Sequence, residues 1–182
     1  MTQIVNVVGG GDLKVNLNLH KIASEASFSD MDYEPEIHSG FKFKFHKEGP
    51  TVMLFSSGNY HITGADSIEE LYQADSKLRK YIKTLVKDDN LNCETACEVR
   101  NIVTLKKFQY ELDLNMISDA LDGAEYSPEI MPAVRYSIDP FNGTFLIFRT
   151  GKVIYTGESN LDNIEKAYDK LFIILDGLFN NP

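Results

Sequence analysis

The stretch DYEPEIHSGFKFKF, Asp32 to Phe45, is written a second time, in altered form, as EYSPEIMPAVRYSI, Glu125 to Ile138. Working outward from these two phrases, the match extends over nearly the whole chain. VNVV (Val5–Val8) answers RNIV (Arg100–Val103), and VNLNL (Val15–Leu19) answers YELDL (Tyr110–Leu114). MLFSSGNYHITG (Met53–Gly64) answers LIFRTGKVIYTG (Leu146–Gly157). The offset is 95 residues at the start and 93 later, so a two-residue length difference falls between Leu19 and Tyr33. A unit of about ninety residues occurring twice is far too long for a solenoid. It implies a duplicated domain with pseudo-twofold symmetry, residues 1–92 and 93–182.

Each half reads alike. A strand opens it, followed by a short helix with apolar spacing (LHKIASEA, LNMISDAL) and a proline-containing turn. FKFKF then alternates strictly, and TVMLFSS and NYHIT are β-rich runs about the turn glycine Gly58. A long amphipathic helix closes the unit. SIEE (Ser67–Glu70) is a capping-box start, and Ile68, Leu71, Ala74, Leu78, Ile82 and Leu85 recur on one stripe. In the second half Ile164, Ala167, Leu171 and Leu175 repeat that stripe. A helix stripe must bury against something, here one face of an antiparallel sheet. The fold class is α+β.

The chain of 182 residues is 43% hydrophobic, enough to bury a core, and its net charge of −9 argues against a nonspecific nucleic-acid binder. No apolar run is long enough to span a membrane, and MTQIVNVV, with no charged n-region and no long apolar run, does not read as a signal peptide. Cys93 and Cys97 are too few for a convincing zinc site. If their segment is extended they stand roughly 13 Å apart, too far for a disulfide. They read as reduced thiols.

The sheet face turned away from the helices is unusual. It should be polar, yet alternate positions carry Val8, Met53, Phe55, Val103, Leu146, Phe148 and Ile154, mixed with Asn6, Thr63, Asn101 and Thr156. Either this is a binding surface, or the faces are assigned one register off and these residues are ordinary core.

The ordered set NVV…LNL…YEPE…LFSSG…TG, followed by NIV…LDL…YSPE…LIFRTGK…TG, resembles the core of the TATA-box-binding protein family, archaeal in type, over essentially the full chain. The resemblance implies a saddle: a curved antiparallel sheet of about ten strands with four helices on its convex side. It implies a concave underside that binds and bends promoter DNA from the minor groove. In the first half the interface would draw on Asn6, Val8, His38, Lys42, Lys44, Met53, Phe55, Ser57, His61 and Thr63. In the second it would draw on Asn101, Val103, Met131, Arg135, Leu146, Phe148, Thr150, Lys152, Ile154 and Thr156. Asn6 and Asn101 match the family's central asparagines, and Thr63 and Thr156 its paired threonines. The A·T minor groove offers only acceptors, which suits such donors on an apolar face. Glu129 and Ile130 match positions that receive transcription factor B. No cofactor is implied.

The departures are specific. Phe55 and Phe148 retain the family's wedge residues, but their partner positions hold His38 and Met131 instead of phenylalanine. Methionine still serves as an apolar wedge. His38 either weakens the kink on its side, with a dependence on pH, or caps a loop. Asn59, Asp66 and Ser159 stand where the family has basic or equivalent residues, Ser127 replaces a glutamate, and Ser137 stands opposite Lys44. Lys42, Arg135 and Lys107 are left to meet phosphates. The triplet Gly9–Gly11 lacks the helix, lysine and serine of a phosphate loop and belongs in or beside the opening strand.

Two functions follow from these readings. One is an initiation factor that binds a TATA element, bends it and recruits transcription factor B and RNA polymerase. It would be cytoplasmic and nucleoid-associated in an archaeon, and nuclear in a eukaryote. A chain that starts directly at the repeat favours the archaeal type. The other is a paralogue acting through proteins, with weak or no bending, and the apolar underside could also pair two copies as a dimer. An enzyme is disfavoured, because no nucleophile, base and carboxylate recur at usable spacing.

Overall fold

The structure, a computed structural model, describes residues 2–86, 91, 95–109 and 111–180. In chain order the first half forms β1 (Gln3–Asp12), α1 (Leu19–Glu25), β2 (Ser29–Asp32), β3 (Gly40–Lys44), β4 (Thr51–Phe55), β5 (Asn59–Ala65) and α2 (Ile68–Leu85). The second forms β6 (Glu98–Lys107), α3 (Leu114–Ala120), β7 (Ala133–Ser137), β8 (Thr144–Phe148), β9 (Lys152–Glu158) and α4 (Leu161–Asn180). Two compact units result, Asn6–Arg100 and, in the other, Asn101–Pro182 with Met1–Val5. Cys93 and the expected boundary between residues 92 and 93 lie outside the described residues.

Within the first unit the strand order is β2-β3-β4-β5-β1, and within the second β6-β9-β8-β7. The ladders are antiparallel. Nine strands form among the described residues, one fewer than the ten or so implied by the resemblance. The shortfall has a definite place. β2 pairs Asp32 with Lys42, and the second-unit equivalent is a single bridge, Glu125 with Arg135.

Alternation settles the faces. Phe41, Phe43, Val52, Leu54, Tyr60 and Ile62 are buried, as are Ile102, Phe145, Ile147, Val153 and Tyr155. α1 packs on β3 and α2 on β5, while α3 packs on β7 and α4 on β9. The α2 stripe buries Leu71, Ala74, Leu78 and Ile82, and α4 buries Ile164, Ala167, Leu171 and Leu175. Truncating one such leucine to alanine typically costs about 2–5 kcal/mol. Ser67 caps α2 by accepting from the Glu70 amide at 3.1 Å, as SIEE predicts. The reciprocal arm differs, because Glu70 reaches past Ser67 to accept from the Asp66 amide at 2.7 Å.

Charge sits inside the first unit where the sequence stripe is apolar. Asp75 and Arg79, on α2, are 2% and 4% exposed and pair at 3.0 Å. The Tyr60 hydroxyl bonds to both of them, and the Cys97 amide donates to Asp75 at 3.2 Å. Cys97 is a free thiol that burial pushes up to about 11. The second unit places Tyr168 and Phe172 at the corresponding positions. There the Tyr168 hydroxyl lies 3.2 Å from the carbonyls of Thr104 and Val153, and Phe172 stacks on Phe108 at 4.2 Å.

The glycine triplet belongs to β1 and is a close-approach device. A Cβ at Gly11 would stand 2.4 Å from the Tyr60 hydroxyl, and one at Gly9 2.7 Å from the Leu71 side chain. Without side chains at these positions, Tyr60 can reach Asp75 and α2 can settle on the sheet.

Candidate nucleic-acid interface

Both units carry the same irregularity at the dipeptide Thr-Gly. Register shifts between Val7 and Gly9 opposite β5, and between Ile102 and Thr104 opposite β9. Gly64 and Gly157 occupy these bulges with φ of +86° and +96°, a conformation that favours glycine. A bulge leaves an amide out of the ladder, and in each unit an asparagine takes it. Asn6 Oδ1 accepts from Gly64 N at 2.8 Å, and Asn101 Oδ1 accepts from Gly157 N at 2.8 Å.

That bond fixes the amide orientation. With Oδ1 engaged by a backbone N–H, each Nδ2 is left to donate. Asn101 Nδ2 lies 3.2 Å from Thr156 Oγ1, and that hydroxyl is in turn 3.5 Å from Asn101 Oδ1, which leaves one amide hydrogen for an external acceptor. Asn6 Nδ2 has no hydrogen-bond partner among the described residues, and Thr63 beside it is exposed. Each half therefore has an amide hydrogen left to donate, while Oδ1 is engaged by the bulge.

Around these donors the helix-averse face is apolar and half-exposed, in rows set by the ladders. In the first unit one row runs Lys42, Met53, His61, Gly10, with Gly40 and Phe55 paired alongside. In the second it runs Arg135, Leu146, Ile154, Leu105, with Ala133 and Phe148 paired alongside. Val8, Met53, Phe55, Val103, Leu146, Phe148 and Ile154 are all half-exposed, while their strand neighbours are fully buried. The alternative register, with these residues as core, is excluded.

His38 is exposed, and its Nδ1 accepts from the Gly40 amide at 3.0 Å, closing the turn after Glu36. Its ring also lies 6.5 Å from that of Phe55. It therefore caps a loop and flanks Phe55 at once. A Cβ on Gly40 would meet Met53, Phe55 and His38 within 3.2 Å, so the glycine lets the three gather. Met131 is half-exposed at the equivalent turn.

The cations differ in freedom. Lys42, Lys107 and Arg135 are exposed, and Lys152 stands 5.9 Å over the Phe148 ring. Lys44 is tethered to Asp30 at 3.9 Å and to the Lys47 carbonyl at 3.3 Å. Thr150 is exposed in its turn, and Ser57 accepts from Asn59 Nδ2 at 3.0 Å. At the other turns, Glu129 is exposed and Ile130 is 84% exposed. Ile37, the first-unit counterpart of Ile130, is 80% exposed.

His61 lies edge-on to Phe55, with ring centroids 5.7 Å apart, and its Nδ1 is 2.9 Å from Arg100 Nη1. Burial, and then the Arg100 charge, hold the imidazole below its ordinary pKa. Sequence reasoning passed over Arg100, because alternation along β6 assigns it to the same side as buried Ile102. The only available signal is Gly10, whose missing side chain leaves room for the guanidinium to turn.

Among the described residues, no three histidine, cysteine or acidic side chains are grouped to hold a metal, and no helix is long and apolar enough to cross a membrane.

Comparison with known proteins shows what the chain is similar to. The sequence model of the family described as "Transcription factor TFIID (or TATA-binding protein, TBP)" matches residues 1–85 and again 96–178. The chain is 28% identical to TATA-box-binding protein C of Halobacterium salinarum over 169 residues, covering 92% of this chain and 93% of the relative. It is 30% identical to the TATA-box-binding protein of Sulfurisphaera tokodaii over 173 residues, covering 94% and 85%. The solved structure of the Methanococcus jannaschii TBP superposes with a TM-score of 0.84 at 30% identity, covering 97% of both chains.

Proposed function

The chain belongs to the TATA-binding protein family, one of transcription factors rather than enzymes, and on that premise we propose that it reads A·T-rich promoter DNA from the minor groove. One observation carries this reading. Asn6 and Asn101 each have Oδ1 engaged by a bulge amide, so each has an Nδ2 hydrogen left to donate to a ligand. The minor groove at A·T pairs offers only the acceptors adenine N3 and thymine O2, while G·C adds a protruding amino group. A pair of such donors on an apolar, half-exposed face suits the first and disfavours the second. Each repeat, 1–92 and 93–182, supplies half of that surface.

Phe55 and Phe148 then act as wedges that unstack base steps and bend the duplex, flanked by His38 and Met131. Lys42, Lys107, Arg135 and Lys152 meet phosphates. Glu129 and Ile130 recruit transcription factor B and, through it, RNA polymerase. A large aliphatic side chain at 84% exposure has no role in folding and suits a protein contact.

A second reading, a partner-binding paralogue without productive bending, is favoured by Asn59 and Asp66 where basic or equivalent residues would serve DNA. Fluorescence anisotropy on a TATA duplex and a G·C-substituted one, with end-to-end energy transfer, separates the two. Preferential binding with a bend supports the initiation factor. Absence of any preference, with or without transcription factor B, leaves the paralogue.

A further inference from the structure

The two units differ most at one end of the equivalent rows. In the second unit that end is Ile154 paired with Leu105, both aliphatic. In the first it is His61 paired with Gly10. Gly10 has no side chain, and the space is used: a Cβ there would lie 2.9 Å from Arg100 Cζ and 2.9 Å from His61 Nδ1. Because Gly10 and His61 are cross-strand partners, that missing Cβ would point to the same face as His61. The guanidinium of Arg100 therefore lies on the helix-averse face, although its backbone position is in phase with buried Ile102.

Arg100 is held there by a neutral acceptor. Its Nη1 lies 2.9 Å from His61 Nδ1. Arginine has donors only, so the imidazole nitrogen accepts and its other nitrogen carries the proton. Among the described residues Arg100 forms no ion pair. An exposed guanidinium that is oriented but not neutralised is prepared for an external anion.

Space for one adjoins it. A recess of about 250 Å³ is lined by Gly10, Asn59, Lys14 and Arg100, with Asp12 and Glu98 also at its wall. Asp12 is neutralised by Lys14 at 2.8 Å.

We propose that Arg100, positioned by His61 over Gly10, is a further DNA-contacting residue that donates to a backbone phosphate and adds an electrostatic contact to the first repeat's grip, where, among the described residues, Lys42 otherwise stands alone. It supplies in the first half a cation that Asn59 and Asp66 do not. The inference rests on the DNA-binding reading above.

A phosphate contact has a signature distinct from a structural role. Neutralising one phosphate contributes about 0.9 to the slope of log affinity against log salt, and carries no sequence information. The test is anisotropy with the intact chain on TATA and G·C-substituted duplexes, from about 50 mM to about 400 mM salt. Arg100→Gln should flatten the slope by about 0.9, so that its deficit at low salt is about sixfold greater than at high salt. It should weaken both duplexes by the same factor. Arg100→Lys, which keeps the charge, should restore the slope. An unchanged slope in Arg100→Gln overturns the proposal while leaving the DNA-binding reading intact. A loss confined to the TATA duplex also overturns it, because that marks a base contact. If the parent chain binds neither duplex at any salt, the wider reading fails and this one with it.

Discussion

At the scale of single residues, the two asparagines do two jobs that chemistry can separate. Oδ1 accepts a bulge amide, a structural task, while Nδ2 is the group that the proposed reading assigns to the DNA. Aspartate accepts from that amide equally well but has nothing to donate. Asn6→Asp and Asn101→Asp should therefore fold with nearly unchanged melting temperature. Each should lose about 1–3 kcal/mol of affinity for a TATA duplex, the usual cost of leaving groove acceptors unsatisfied. Asn→Ala would blur the two effects by releasing the glycine amide. Equal loss of stability and affinity in the aspartate variants would mean that the donor role is absent.

At the scale of elements, α2 is built differently from α4 although both continue the same repeat. Asp75 and Arg79 form a buried pair with Tyr60, where α4 supplies Tyr168 and Phe172. Removing one partner of such a pair strands a charge, so Asp75→Ala should cost about 3–5 kcal/mol in urea unfolding. The triple variant Tyr60→Phe, Asp75→Leu, Arg79→Met should recover most of that loss, since apolar groups of similar volume often replace a buried ion pair without penalty. Elements like these also mark how far the sequence could be read. Strands and helix stripes were legible because periods of 2 and 3.6 are geometric, and the same alternation put Phe55 and Phe148 on the helix-averse face. Asp75 and Arg79 were not legible, because a charge beside a stripe reads as solvated until Gly11 is seen to admit Tyr60. The Thr-Gly bulges showed only as a repeated dipeptide. Arg100 was hidden because its placement depends on Gly10, ninety residues earlier in the chain.

At the scale of the whole molecule, a net charge of −9 must be reconciled with a DNA ligand. Among the described residues, free cations on the helix-averse faces are few, and Lys44 is already engaged by Asp30. On the proposed reading, affinity comes mainly from apolar contact and groove hydrogen bonds, which salt screens little. That places the weight of the account on recognition of the minor groove itself, and one measurement addresses it directly. Binding is compared on three duplexes of identical length: a TATA element, its G·C-substituted form, and a form with inosine·cytosine pairs in place of G·C. Inosine·cytosine carries the major-groove groups of G·C but lacks the amino group in the minor groove, where it resembles A·T. The account predicts that the inosine duplex binds like the TATA element and the G·C duplex does not. If the inosine duplex instead behaves like G·C, the chain does not read DNA through the minor groove, and the role assigned to Asn6 and Asn101 is wrong.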